Sequence, residues 1–268
     1  MNAILRIIGL VFVAIASGAC QRGDAEAMVQ TAETAAAGHD ILLTFIEFEK
    51  GVDPYRTRAI VTPDFLRFDD GEGSVDFVLF DRRKRIVYSV NSEDKTVLAV
   101  HAKHIEIEPP MKLDLVARVV DSMQDAPTID GKTPQHYQFL ANGEVCYDTV
   151  SVKGLLPDAV AALRDFTAVL ASDSKVTFNT LPADLHDACD MSMNTFAAGR
   201  HFAYGFPVQE WSAAGAGRTL IDYRTDYRAD PALFVLPGEY AHFTVQDFRE
   251  GRVETDIEPP RQTDAADI

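Results

Sequence analysis

The sequence predicts an α+β fold: one large antiparallel sheet with two or three helices on one side. Three observations predict it. Short runs rich in β-branched and aromatic residues follow one another through the first half, with only turn-forming clusters between them. Parallel strands would need long crossovers, so this spacing means an antiparallel meander. Several runs, such as Phe77-Val78-Leu79-Phe80, are apolar on both faces and need cover on both sides, from curvature or from packed helices. Apolar stripes at helical spacing then recur from residue 113 onward.

The chain opens MNAILRIIGLVFVAIASGACQ. Arg6 precedes an apolar run from Ile7 to Ala16, and Ser17, Gly18 and Ala19 lead into Cys20. Charged, apolar, then small is the order of a secretory signal, so residues 1–19 are expected to be a signal peptide. The apolar run is about half the ~20 residues that a transmembrane helix needs. A cysteine directly after small residues resembles the lipobox of bacterial lipoproteins. In that family the cysteine is lipidated and becomes the mature N-terminus, and leucine is commonest where Ser17 stands. The resemblance implies lipid on Cys20; the alternative is an ordinary signal peptide with an incidental cysteine.

Residues 20–38 hold that cysteine and a small, polar stretch that cannot build a core, read as a flexible tether. A single domain is expected over 39–249. Its first strands are DILLTFIEFE, RTRAIVT, SVDFVLFDR, RIVYSVN and TVLAVHA. Turns are expected at Val52-Asp53-Pro54, Asp69 to Gly73, Asp81 to Lys84 and Asn91 to Asp94. Val75, Phe77 and Leu79 share one face, and Val87 faces away from Ile86, Tyr88 and Val90.

Helices are expected over three stretches. Residues 113–123 carry the stripe Leu115, Val116, Val119 and Met123. Residues 157–171 open on a proline and Asp158, as first turns prefer, and residues 182–198 contain Cys189. Strands return at 136–140 and 144–152 around Asn142-Gly143, at 206–211 and 218–227 around 212–217, and at 241–248. Residues 250–268 are acidic, carry few core side chains and read as a disordered tail.

The formal net charge is −16, and near −17 once Arg6 leaves with the signal. Phosphate binding rests on Lys and Arg, so this balance argues against nucleic acid as a partner. It argues equally against broad adsorption to anionic lipid, leaving the acyl anchor as the expected attachment to the membrane. With lipid on Cys20, two of the three cysteines remain, Cys146 and Cys189. An exported chain meets an oxidising compartment, where such a pair forms a disulfide; the alternative is two buried thiols.

Three stretches together resemble the superfamily of periplasmic lipoprotein carriers and related lipoproteins. The first is the meander from Phe65-Leu66-Arg67-Phe68 through Phe77-Val78-Leu79-Phe80-Asp81 and Ile86-Val87-Tyr88-Ser89-Val90-Asn91 to Lys95-Thr96-Val97. The second is Gly205-Phe206-Pro207-Val208 with its hairpin to Leu220-Ile221-Asp222. The third is the ending from Asp230-Pro231 to Gly238-Glu239-Tyr240. The resemblance implies a curved half-barrel with the helices packed on its concave side and an apolar cavity able to hold acyl chains. The carriers proper are soluble, so a lipidated Cys20 looks more like the receptors or uncharacterised lipoproteins of the group.

Candidate chemistry is sparse. His186, Asp187, Cys189 and Asp190 could gather on a helix around a metal, against Cys189 pairing with Cys146. His101 and His104 would point to opposite faces of a strand. Gly215-Ala216-Gly217 lacks the third glycine of a nucleotide loop and reads as a hairpin turn. Asp69, Asp70 and Glu72 could hold calcium weakly, or simply form a solvated turn. Trp211 could line a pocket or fill core. No metal and no cofactor are expected, and no catalytic residue is assigned.

The expected function is a non-enzymatic lipoprotein, anchored by Cys20, that binds a lipid or an acylated protein. Gln21 stands where an aspartate would favour the inner membrane, which points to the outer membrane, facing the periplasm. The alternatives are an envelope scaffold or protein-interaction module, and a hydrolase with dispersed residues.

Overall fold

Local turn chemistry folds the chain into two meanders, which the first strand then joins. The computed structural model describes residues 40–252 apart from 105, 179–181, 183 and 184. The expected signal peptide, Cys20, the tether and most of the expected tail lie outside the described residues. The first meander comprises β1 (Asp40–Glu49), β2 (Val52–Val61), β3 (Phe65–Asp69), β4 (Phe77–Asp81), β5 (Ile86–Asn91) and β6 (Thr96–His101). The second comprises β7 (Leu115–Asp121), β8 (Gln135–Ala141), β9 (Glu144–Val152), β10 (Phe206–Ser212) and β11 (Gly217–Tyr227). β1 pairs with β2 on one side and β11 on the other, and β12 (Ala241–Thr244) adds to β6 as the sheet's one parallel pair. The result is an open 12-stranded sheet in the order β12-β6-β5-β4-β3-β2-β1-β11-β10-β9-β8-β7.

One face of this sheet buries the core. Leu43, Phe45, Val61, Leu66, Phe80, Val87 and Phe206 pack with Ala159, Ala162, Leu163 and Val169 of helix α1 (Pro157–Phe178). Each such large side chain contributes about 1.5–3 kcal/mol by leaving water. Pro157 and Asp158 sit in the first turn of α1, where a missing N–H costs nothing and an acid favours the exposed amides. Phe166 reaches down to Phe68, ring centroids 5.2 Å apart.

The opposite face of β2–β6 is apolar too: Ile60, Leu79, Val90 and Val97 are buried. Its cover is a strap formed by residues 228–240. Ala229 N–H donates to Asp40 Oδ2 at 3.0 Å as the strap leaves β11. Asp230 caps a 3-10 turn, Pro231–Phe234, whose Phe234 stacks on Phe65 at 5.2 Å. Arg67 donates to the Leu233 carbonyl at 2.6 Å, and its guanidinium lies 3.7 Å from the Phe77 ring centre. Asp69 holds Arg67 and Arg58 in place from below. The strap ends where Ala241 N–H donates to Lys95 O and β12 begins.

The expected half-barrel with two or three helices on a concave side is therefore corrected. The sheet is open, and α1 is the one long helix among the described residues; α2 (Ala188–Met191) and α3 (Val245–Arg249) are four and five residues. Residues 113–123 form no helix. Leu115, Val116 and Val119 also fit a strand that is apolar on both faces, and β7 takes that form. The first turn falls at Lys50-Gly51, with Gly51 at φ 86°, rather than at Val52-Asp53-Pro54, which opens β2. Residues 182–198 break into α2 and a π-helical turn, Ser192–Phe196.

The expected last strand, 241–248, stops at Thr244 because Thr244 and Asp247 form a capping box that starts α3. Arg252, in the expected tail, folds back onto Asp247 at 2.7 Å. The Thr244 hydroxyl, its amide and Arg252 hold the Asp247 carboxyl down to about 2. A depressed carboxyl contributes above its ordinary pKa and loses that contribution as pH falls through the folded value. The Cα chemical shifts of residues 244–249 should therefore move towards coil values as pH drops from 4 to 2; unchanged shifts would contradict the cap.

Candidate functional site

Strand register brings charged side chains together at the β7–β11 end of the sheet. On the α1 face, Glu210 lies opposite Arg218, Arg218 opposite Glu47, and Glu47 opposite Tyr55. Cross-strand neighbours on one face touch, so the four form a row in which two acids flank Arg218 and a phenol ends it. Arg218 Nε donates to Glu210 Oε1 at 2.5 Å. The Tyr55 hydroxyl lies 3.4 Å from Glu47 Oε2 and 3.5 Å from Glu49 Oε1. Gly217 makes the hairpin possible, because a Cβ there would sit 2.2 Å from the Glu210 carbonyl oxygen.

His201 comes up beneath this row from the 3-10 turn Arg200–Tyr204, with Nε2 3.6 Å from Glu210 Oε2. Its ring lies 5.3 Å from that of Tyr147. Glu210 is 4% exposed and His201 6%. Both imidazole nitrogens are buried without a hydrogen-bond partner, while the Tyr147 phenol supports the Glu210 carboxylate. Burial pushes the Glu210 carboxyl up, but the Arg218 guanidinium bonded to it outweighs this and holds the group below its ordinary value. Burial lowers His201, only partly offset by Glu210, so the imidazole is neutral. Burial and the nearby Glu210 carboxylate raise the Tyr147 phenol. The row borders a cavity of about 350 Å³ lined by Glu47, Phe48, Tyr55, Tyr147, Glu210 and Arg218 among others. An ionised acid, a guanidinium and a protonated phenol around one space suit recognition by charge and hydrogen bonds.

A second row crosses the opposite face. Arg118, Gln138, Asp148 and Trp211 are successive register partners. Arg118 Nε donates to Gln138 Oε1 at 3.0 Å and Gln138 Nε2 to Asp148 Oδ1 at 3.1 Å. His136 Nε2 lies 2.8 Å from the same Asp148 oxygen, and its ring sits 5.3 Å from that of Trp211. This row ends at β7, which among the described residues pairs with β8 alone and ends the sheet. Leu115, Val116, Val119 and Val120 on β7 are 39%, 43%, 55% and 51% exposed. Arg200 braces the edge from behind, donating to Leu140 O at 2.8 Å and Val116 O at 3.4 Å.

The candidates read from sequence are not brought together. Cys189 is joined to Cys146 in a disulfide. Asp187 caps α2 through the Asp190 amide, and His186 Nε2 lies 3.2 Å from Phe178 O. Among the described residues no cluster of histidine, cysteine and acid suits a metal. His101 and His104 are both exposed. Asp69 is buried and bonded to two arginines, an internal ion pair, while Asp70 and Glu72 are exposed in the turn that follows it. Gly215-Ala216-Gly217 turns the β10–β11 hairpin, where Ala216 O accepts from Ser212. Trp211 belongs to the second row. The acidic row was missed, although alternation carried a signal: Phe206, Val208 and Glu210 share one buried face, and an acid there stands out.

No family model and no curated protein matches the chain. Among solved structures, the chain is similar to an uncharacterised conserved protein from Thermus thermophilus, with a TM-score of 0.41 and 9% identity over 78% of this chain and 91% of that one. It is similar also to PNGF-II, with a TM-score of 0.37 and 9% identity over 79% of this chain. There the chain spans about a third of the other's length, 32%. The chemistry of the site has to be read from its own residues.

Proposed function

We propose that this chain is a lipid-anchored envelope lipoprotein that acts as a binding module, taking an extended segment of a partner protein along β7. The observation that carries the reading is the edge itself. Native edges are kept short, charged or bulged, because their unpaired amides and carbonyls template further strands. β7 has seven residues, one basic side chain and four exposed large aliphatics. A strand added there gains main-chain hydrogen bonds, and its alternate side chains cover these aliphatics. The filled contact between α1 and the sheet favours this over an acyl chain held in the core. Among the described residues no helix is long and apolar enough to cross a membrane. Attachment is assigned to lipid on Cys20, and Gln21 after it favours the outer membrane, facing the periplasm.

Two experiments test the proposal. Cys20→Ser should move the protein from the membrane to the soluble fraction, and continued membrane association would overturn the anchor. A photo-crosslinking residue at position 119 should trap a discrete adduct in cells, lost in a Val120→Pro variant. A crosslinker at Ile221, exposed on the interior strand β11, should trap none. Adducts equal at both positions, or insensitive to the proline, would overturn the edge.

A further inference from the structure

We infer that the segment taken up by β7 is residues 253–258 of a second copy of this chain, an inference that rests on the edge-binding reading above and names its partner. Val253-Glu254-Thr255-Asp256-Ile257-Glu258 lies outside the described residues, and its sequence has the pattern of a strand. β-branched side chains alternate with acids over six positions, and Pro259-Pro260 ends the run. Alternate residues of a strand face opposite sides, so one side would carry Val253, Thr255 and Ile257 and the other three carboxylates.

β7 offers the matching halves. Leu115, Ala117 and Val119 pair with Ala141, Phe139 and Tyr137, whereas Val116 and Arg118 pair with Leu140 and Gln138 on the other face. In the antiparallel register that covers the first three, Val253, Thr255 and Ile257 lie opposite Val119, Ala117 and Leu115. That register places Glu254 opposite Arg118, the one basic side chain of β7, which donates to the neutral amide of Gln138. Apolar pairs and opposite charges facing each other across a strand pair both stabilise it.

The segment cannot reach the edge of its own chain. Residue 253 directly follows Arg252, which is bonded to Asp247 of α3. α3 follows β12, and β12 and β7 stand at opposite ends of the open 12-stranded sheet. At the usual strand spacing those ends are about 50 Å apart along the sheet. One residue advances the chain by at most about 3.6 Å, so the added strand comes from another molecule. The contact is therefore head-to-tail, one copy's segment on another's edge. Six residues bind weakly alone, but two copies anchored to one surface meet at a raised effective concentration.

The crosslinking residue at position 119 identifies the partner. In cells the adduct should have twice the chain's mass, and the tryptic peptide 253–261 should carry the link, since Val253 lies opposite position 119. Removing residues 253–268 from the crosslinking chain should abolish the adduct, and co-expressing an intact chain without the crosslinker should restore it. The deletion starts after Arg252 and removes none of the contacts described above. Arg118→Glu should lower the adduct yield about threefold, the scale of one cross-strand charge pair, and adding Glu254→Arg should bring it back. An adduct of another mass, or one that survives the deletion, would overturn the second copy as partner and leave the edge standing. Absence of adducts of every mass would overturn the edge and this inference together. A charge swap that restores nothing would overturn the register, and with it the choice of segment.

Discussion

Replacing Arg218 with methionine is expected to lower the unfolding free energy by about 3 kcal/mol, the low end for breaking a buried ion pair. The low end applies because the Arg218 side chain keeps 20% of its exposure, while that of Glu210 keeps 5%. Methionine keeps an aliphatic stem but removes the guanidinium, which faces Glu210 and lies 4.7 Å from the Phe45 ring centre. An ionised carboxylate would then be left buried beside a neutral imidazole and a phenol. The double variant Arg218→Met, Glu210→Leu should recover most of the loss, since apolar residues of similar volume replace a buried pair at little cost. Urea unfolding of the three chains measures both effects. A single variant within 1 kcal/mol of the parent would show that the pair is not the buried contact described.

The same cluster sets a pH dependence. Glu210 and His201 both have folded pKa values below their ordinary ones. For such groups the unfolded chain binds more protons, so stability falls as pH drops. For His201 the loss begins below about 6.5, and for Glu210 below about 4.5. His201→Phe should flatten the first part of this fall and leave the second.

The disulfide gives the other large effect. Cys146 and Cys189 close 43 residues of separation, and a loop of that length is constrained in the unfolded chain by about 4 kcal/mol. The segment it pins is poor at holding itself. α2 has four residues and is followed directly by the π-helical turn, and helices that short are marginal alone. The bond fixes this segment to β9, one residue before Tyr147. Cys146→Ser with Cys189→Ser should lower the urea midpoint accordingly, and reduction of the parent chain should reproduce that midpoint. A reduced chain that unfolds at the parent's midpoint would contradict the assignment.

The hairpins were legible because their signals are local. Asn142-Gly143 and the acidic turn from Asp69 name their own conformations, and flanking alternation sets the register. The identity of β7 was not legible, since apolar residues at 115, 116 and 119 satisfy a helical stripe and a two-faced strand alike. The strap was hidden for a different reason. Doubly apolar strands announced that both faces needed cover, yet the cover comes from Leu233, which meets Arg67 across 166 residues of sequence, and from Phe234, which stacks on Phe65. Helices are the commoner source of such cover, and expecting them leads to the half-barrel. Of the acidic site, Glu210 left a trace in its strand pattern. His201 left none, because its burial follows from a turn that no periodicity marks.

Hydrogen exchange of the β7 peptide, residues 115–121, tests the central claim most directly. It is compared between the purified chain and the chain in intact envelopes. Strand addition predicts that β7 amides exchange markedly more slowly in the envelope, while the α3 amides exchange equally in both. Equal exchange of β7 in the two states would contradict the role assigned to this edge.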